Sequence, residues 1–409
     1  MVIHRPPKWF LFFPVLLLPA VACTGNGASR GAFDVRDSAG VQVVESFEPA
    51  WGPGEAWFVA DEPTLSIGVE EGEEPYQLFR IGGAVRLSDG RIVVANSGSS
   101  ELRFFDADGR FLMAAGGTGE GPGEFGEFSG MRMWQPRSGE LVLQDFGNDR
   151  VTVYDTSGTY ARTVRFEPTA DAPQAWLIGV FADGSLLAQA PEGGGRLNGV
   201  PGELIQLAYR HLRYDQEGRQ PALMLVLPAR TRYVNEFGGV RHFPFIPFVP
   251  EPVILAFDER LHVIRGSTAE IEQRSLDNEV TRITRWSAPG QHRVADVWEQ
   301  YKAEELPEDE ERRQRYMHFY EQDLQIPEHV PVASELRADA DGNLWVRRYQ
   351  LPWETDVRWD VMERGERWLG TVVTPPRFTV YDIGTDYILG RQYDSLNVER
   401  LQLYELVKP

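Results

Sequence analysis

Short apolar runs separated by Gly and Asp turns set the pattern of this chain. Residues 86–111 read RLSDGRIVVANSGSSELRFFDADGRF, and residues 137–160 read RSGELVLQDFGNDRVTVYDTSGTY. Each has a turn ending in Gly, a β-branched run, a polar turn, a second run ending in an aromatic and Asp, and another Gly turn. Runs this short, rich in β-branched and aromatic residues, predict strands. Gly90 and Gly139 lie 49 residues apart, and Gly139 and Gly184 lie 45 apart. A period of that length suits one four-stranded blade of a β-propeller.

Further copies follow. FADGSLLAQA starts at Phe181 with its partner strand from His211, residues 253–286 keep the strand spacing, ADADGNLWV restarts the pattern at Ala338, and a last copy runs from Phe378. The predicted fold is therefore all-β, a six-bladed β-propeller over residues 41–409. The last copy is one strand short, and WFVADEPTLSIG (residues 57–68) is an unassigned strand-like segment ahead of the first. It is expected to complete the last blade and close the ring, which removes an open sheet edge.

Two stretches break the pattern. Residues 294–324 are charged and helical in spacing: Trp298 and Tyr301 share one face, Tyr316, Tyr320 and Leu324 recur in steps of four, and Pro307 separates two helices. This predicts a short helical insertion between blades 4 and 5, its aromatic stripe packed on the propeller side or serving as a lid or partner handle. Residues 233–252 interleave Phe237, Phe243, Phe245 and Phe248 with four prolines. They predict a stiff extended loop, either filling space or lining an apolar pocket with Arg241 and His242 as its polar groups.

The first residues read as an export signal. Arg5 and Lys8 precede the apolar run from Trp9 to Leu18, which is too short to span a bilayer. Pro19-Ala20-Val21-Ala22 then leads to Cys23, the only cysteine in the chain. Small residues before a lone Cys resemble the lipobox of bacterial lipoproteins, although Ala20 stands where that family prefers Leu. Ala20-Val21-Ala22 also fits the ordinary signal-peptidase site, the alternative that would give a soluble exported protein. The resemblance implies cleavage after residue 22, acylation of Cys23 and a membrane anchor, with residues 23–40 as a flexible tether. Thr24 rather than Asp after the Cys resembles the signal for outer-membrane sorting, and the expected location is the periplasmic side of the envelope.

The segment GRIVVANSGSSELRFFDADGRF followed by GGTGEGPGEF resembles the NHL-type repeat of six-bladed propellers, well over residues 81–166 and loosely to residue 406. The resemblance implies the fold and little about activity, since such propellers include binding scaffolds, RNA binders, lactonases and a lyase. Of the 409 residues, 61 are acidic and 41 basic, a net charge of -20, which argues against a nucleic-acid groove. One cysteine excludes a disulfide framework.

Candidate chemistry is sparse. Gly121, Gly123 and Gly126 satisfy G-x-G-x-x-G, but acids surround them and no helix pattern follows, so an inter-blade turn is the better reading. Gly27 to Gly31 match G-x-S-x-G inside the tether, where no strained turn can hold the serine. The histidines lack H-E-x-x-H spacing, and VEEGEEP lacks the spacing of a calcium loop. Counting six residues past each turn glycine gives Asn96, Asp145, Ala190 and Arg348, a mixed ring suited to a polar ligand. Asp145, Asn148 and Arg150 form the best cluster, against the alternative that they satisfy turn backbone. The expected function is non-catalytic recognition of a small molecule, peptide or envelope protein through Asn96, Asp145, Asn148, Arg150, Arg241, His242 and Arg348. No cofactor is expected. The alternatives are a hydrolase, lactonase or lyase with calcium or zinc in the channel, and a purely structural envelope protein.

Overall fold

A computed structural model describes residues 32–127, 130–195, 197–288 and 290–409. The signal segment and Cys23 lie outside the described residues. The first described element is a hairpin of β1 (Phe33–Ser38) and β2 (Val41–Ser46). Ala39 and Gly40 turn it, both at positive φ, and Asp37 Oδ1 accepts the Gly40 amide. This shortens the tether expected over residues 23–40, whose last part is strand. The cause is local turn chemistry: β1 is exposed along its whole length, so it carries no buried face that could mark it in the sequence.

After β3 (Phe58–Val59) and β4 (Leu65–Ile67) the chain makes its blades in order. Blade 1 is β5 (Ile81–Arg86), β6 (Ile92–Asn96), β7 (Glu101–Phe105) and β8 (Phe111–Gly116); blade 2 is β9 (Met131–Trp134), β10 (Leu141–Asp145), β11 (Arg150–Tyr154) and β12 (Tyr160–Val164). Blade 3 is β13 (Trp176–Val180), β14 (Leu186–Pro191), β15 (Leu204–Tyr214) and β16 (Ala222–Tyr233), followed by a hairpin of β17 (Asn235–Phe237) and β18 (Val240–His242). Blade 4 is β19 (Val253–Phe257), β20 (Arg260–Ile264), β21 (Glu270–Ser275) and β22 (Val280–Trp286). The helices α1 (Val294–Glu305) and α2 (Glu310–Tyr320) come next, at the predicted place. Blade 5 is β23 (Ala333–Ala338), β24 (Leu344–Arg348), β25 (Val357–Glu363) and β26 (Arg367–Thr374); blade 6 has β27 (Phe378–Ile383), β28 (Tyr387–Tyr393) and β29 (Glu399–Val407).

The fourth strand of blade 6 comes from the other end of the chain. Leu65, Ser66 and Ile67 of β4 pair with Leu403, Gln402 and Leu401 of β29, and β3 pairs with its last residues. The ring is thus closed by hydrogen bonds between sequence-distant segments. The first strand of each blade faces its neighbours: β5 lies against β9 and β27, and β19 against β13 and β23. Gly82 shows how close this approach is, because a Cβ there would lie 1.8 Å from the Met131 carbonyl oxygen. β2 adds to the outer edge of blade 4, parallel to β22.

Stability comes from the junctions. Six buried apolar clusters sit one at each blade-to-blade contact, for example Val93, Leu102 and Phe104 of blade 1 with Leu141, Leu143 and Tyr154 of blade 2. Strands covered on both faces should read as continuous apolar runs, and β6, β10 and β11 are buried at every residue. Two satellite clusters join the insertion to the aromatic loop: Phe248 packs with Val294 and Val297, and Ile246 with Phe319 and Leu324.

Candidate functional site

Antiparallel blades sort their connections by end. Links between first and second strands, and between third and fourth, fall on one face of the ring; links between second and third strands, and from one blade to the next, fall on the other. The first face is made of short turns, such as residues 87–91, 106–110, 155–159 and 339–343. The second carries residues 68–80, 117–130, 192–203, 234–252 and 287–332, and therefore both helices and the β17–β18 hairpin. Among the described residues, every exposed large apolar side chain on a loop, hairpin or helix between blade strands is on this insertion face: Phe79, Phe146, Leu197, Val200, Val240, Phe245, Met317 and Leu396.

The glycine-spaced ring begins every one of its sites at the end of a second strand on this face. Asn96 is buried, with its Oδ1 accepting the Phe79 amide at 2.8 Å and its Nδ2 donating to Ser99 Oγ. Arg103 in the same blade donates to the carbonyls of Glu74, Pro75 and Gln77. Together they fasten the connection of residues 68–80 to blade 1. Blade 2 repeats the device. Asp145, fully buried, accepts the amides of Gly126, Gly147 and Asn148 and the Asn148 side chain. Arg150 lies 3.6 Å from Asp145 and donates to the carbonyls of Glu120, Gly121 and Glu124. Asn148 donates to Gly119 O, and the Tyr154 hydroxyl to Gly123 O. The glycine-rich segment is thus an inter-blade turn threaded over a polar cluster. Burial pushes the Tyr154 phenol up to about 12. The bonds named for Asp145, Asn148 and Arg150 are internal to the fold, and Ala190, the third blade's counterpart, is a buried apolar residue.

Arg348 differs. Its guanidinium makes a two-point pair with Asp360 (3.0 and 2.6 Å) and donates to Thr371 Oγ1, while Trp286 of blade 4 donates its indole N–H to the same Asp360. This locks blade 4 to blade 5 and aligns one wall of a cavity of about 240 Å³, which is also lined by Gln291, His292, Tyr349, Gln350 and Glu354. A second cavity of about 400 Å³ shares Pro331 and Tyr349 with the first and lies under the aromatic loop, bounded by Phe245, Pro247, Phe248, Tyr301, Arg230 and Glu251. Phe248 sits at a φ of 62°, a costly conformation for a bulky residue, held by Tyr301 at 4.5 Å and by Trp298 and Tyr349. Arg230 pairs with Glu251 at 2.6 Å, and Arg232 stacks 3.8 Å from the Phe245 ring. Burial raises the Tyr301 and Tyr349 phenols, which stay neutral donors at neutral pH.

The aromatic loop lines this pocket, but its polar groups are not the ones expected. Arg241 and His242 lie on β18; Arg241 donates to Gly199 O, and His242 faces a separate cavity of about 230 Å³ against Arg315, Tyr316 and Phe319 of α2. The hairpin register carries them away, since Asn235 pairs with His242 and Glu236 with Arg241. Arg230, Glu251 and Tyr349 take their place, and no spacing rule in the sequence brings those three together. Among the described residues no three His, Cys, Asp or Glu side chains are grouped to hold a metal ion. Calcium, the ion left open by the sequence, has no such cluster there.

A family model described as a six-bladed beta-propeller, DUF5128, matches residues 77–173. The chain is a six-bladed β-propeller. It is similar to a member of the DUF4221 family from Bacteroides vulgatus, at 10% identity and a TM-score of 0.48 over 87% of this chain and 99% of that one. It is also similar to virginiamycin B lyase from Staphylococcus aureus (10%, 0.38, 80% and 96%) and to regucalcin, a calcium-binding protein from Agrobacterium tumefaciens (12%, 0.35, 86% and 95%). Likenesses at this level concern the course of the chain and assign no activity to it. No curated protein matches the sequence.

Proposed function

We propose that this propeller is an exported, lipid-anchored recognition protein that binds an extended peptide segment of an envelope protein on its insertion face, without catalysis. One observation carries the reading: among the described residues, the exposed large apolar side chains on the loops, hairpin and helices that connect blade strands all lie on that face. Scattered apolar side chains around a rim, beside a cavity of about 400 Å³ walled by aromatics and one Arg–Glu pair, suit a chain with several apolar anchors better than one compact metabolite. The rigid ring supports loops that are free to differ from blade to blade. The anchor rests on Cys23 and the small residues before it, and the outer-membrane placement on Thr24.

Panning a random peptide library against the full chain tests the binding reading. Enriched peptides should bind saturably, lose affinity with Phe245→Ser and Tyr349→Ala, and keep it with Leu112→Ser on the outer edge of blade 1. Failure to enrich any peptide, or retention of binding in both insertion-face variants, would overturn it. Metabolic labelling with a palmitate analogue, lost on Cys23→Ser, tests the anchor separately.

A further inference from the structure

We infer that the turn face carries a second site, a cavity where blades 4 and 5 meet that takes a small hydroxylated metabolite bearing one oxyanion group. The cavity is about 340 Å³ and is built from turn ends: Asp258, Arg260, His262 and Gln273 of blade 4 face Asp341 and Arg364 of blade 5. It lies on the opposite side of the ring from the proposed peptide surface, so the two readings stand or fall separately.

Three features point to a ligand. The first is charge. Asp258 is matched by Arg137 at 2.9 Å and Asp341 by Lys408 at 2.7 Å. Arg260 and Arg364 also line the cavity, and among the described residues neither has a carboxylate partner. In a chain of net charge -20, whose other arginines commonly pair as Arg274 does with Glu272 or Arg213 with Asp183, two unmatched guanidiniums at one cavity are a local excess of positive charge.

The second is His262. Its residue is 4% exposed, it lines the cavity, and its buried Nδ1 has no hydrogen-bond partner. A buried polar atom left unpaired costs free energy and calls for a missing partner. Burial, with Arg260 and Arg282 nearby, pushes the imidazole down to about 3, so at neutral pH the ring is uncharged and offers one donor and one acceptor. Such a ring recognises hydroxyl groups, while the arginines recognise the oxyanion.

The third is placement. Gln273 is the direct cross-strand neighbour of His262 on β21, and the cavity also holds Asp258 and Asp341. Carboxylates and an amide in a cavity of this size provide acceptors for the hydroxyls of a ligand larger than a bare ion.

Calorimetric titration of the full chain with glucuronate, glucose 6-phosphate and neutral glucose tests the inference. One or both anionic probes should bind saturably and glucose should not; the anion preferred distinguishes a carboxylate from a phosphate head. Arg260→Gln and Arg364→Gln should each weaken binding by about tenfold, the scale of one charge-assisted hydrogen bond, and the His262 ring nitrogens should shift in NMR spectra on titration. Both arginines are exposed, so the variants should fold, and Phe245→Ser on the other face should leave binding unchanged. No saturable binding of either anion, equal binding of glucose, or full affinity in the double Arg variant would overturn it.

Discussion

The two faces of the ring are built from the same strands and obey different rules. On the turn face the links are short, and several are closed by an Asx-type turn and a glycine: Asp155 accepts the amides of Ser157 and Thr159, Asp106 those of Asp108 and Arg110, and Asp339 that of Asn343. The insertion face carries all the long links, unlike one another, and two of them are tied down by side chains reaching from the blade, Arg103 and Arg150. Local chemistry shapes the first face, and long-range polar anchoring the second. Variation in loop length is tolerated where anchors come from the blade, so recognition surfaces can grow there without disturbing the ring.

The comparison can be broken at the top of the energy scale by a residue that serves both faces. Trp359 is fully buried at the junction of blades 5 and 6; Trp359→Ala should cost about 3–5 kcal/mol in urea unfolding and loosen both faces equally in hydrogen exchange. Loss confined to one face would show that the blades unfold separately.

Arg150→Ala should act on one face only. It leaves three loop carbonyls and the buried Asp145 without their cation, for a cost of about 2–4 kcal/mol by the usual penalty for an unpaired buried group. Exchange should rise in residues 117–127 and stay unchanged in the turn-face link of residues 155–159. Uniform exchange would mean that the anchor is not local.

Acid should affect the buried histidines next. His262 titrates near 3 and His211 near 4, chiefly through burial, both below the ordinary value near 6.5. For a base depressed in the folded state, the unfolded chain takes up protons first. Stability is therefore full above about pH 6.5 and falls as pH drops toward 4 and then 3, by up to about 1.4 kcal/mol per pH unit for each histidine. His211→Gln and His262→Gln should each flatten the decline measured by urea unfolding between pH 6.5 and 4; an unaltered slope would locate the acid sensitivity elsewhere.

The smallest effect belongs to a turn glycine. Gly139 has a φ of 85° with no atom within 4 Å of where a Cβ would stand, so Gly139→Ala should cost only the backbone strain of about 1 kcal/mol, read as a small drop in Tm. A larger loss would mean that the turn face is less local than its hydrogen bonds imply.

Much of this fold was legible beforehand because each blade is a local event. The glycines that mark the period, Gly90, Gly139, Gly184 and Gly342, all occupy positive φ at the links between first and second strands, so the spacing read from the sequence follows backbone conformation. The closing strand was legible from a missing partner, and the helices from their four-residue steps. The β1–β2 hairpin was not, because an exposed strand leaves no apolar period. The site was legible only in part. Asn96, Asp145 and Arg348 do recur at equivalent strand ends, yet side-chain direction turns the first two inward onto their own loops and places Arg348 beside a cavity.

Sequence alone determined the repeat, the number of blades, the insertion between blades 4 and 5 and the acidic balance, because turn geometry and apolar periodicity act over a few residues. The tertiary structure alone decided that long links gather on one face, that Phe248, Tyr301 and Tyr349 share one pocket with Arg230, and that His262 and Arg364 line one cavity across a blade junction. Those encounters depend on how six twisted sheets pack around the ring, and no short-range pattern in the chain encodes which side chains that packing brings together.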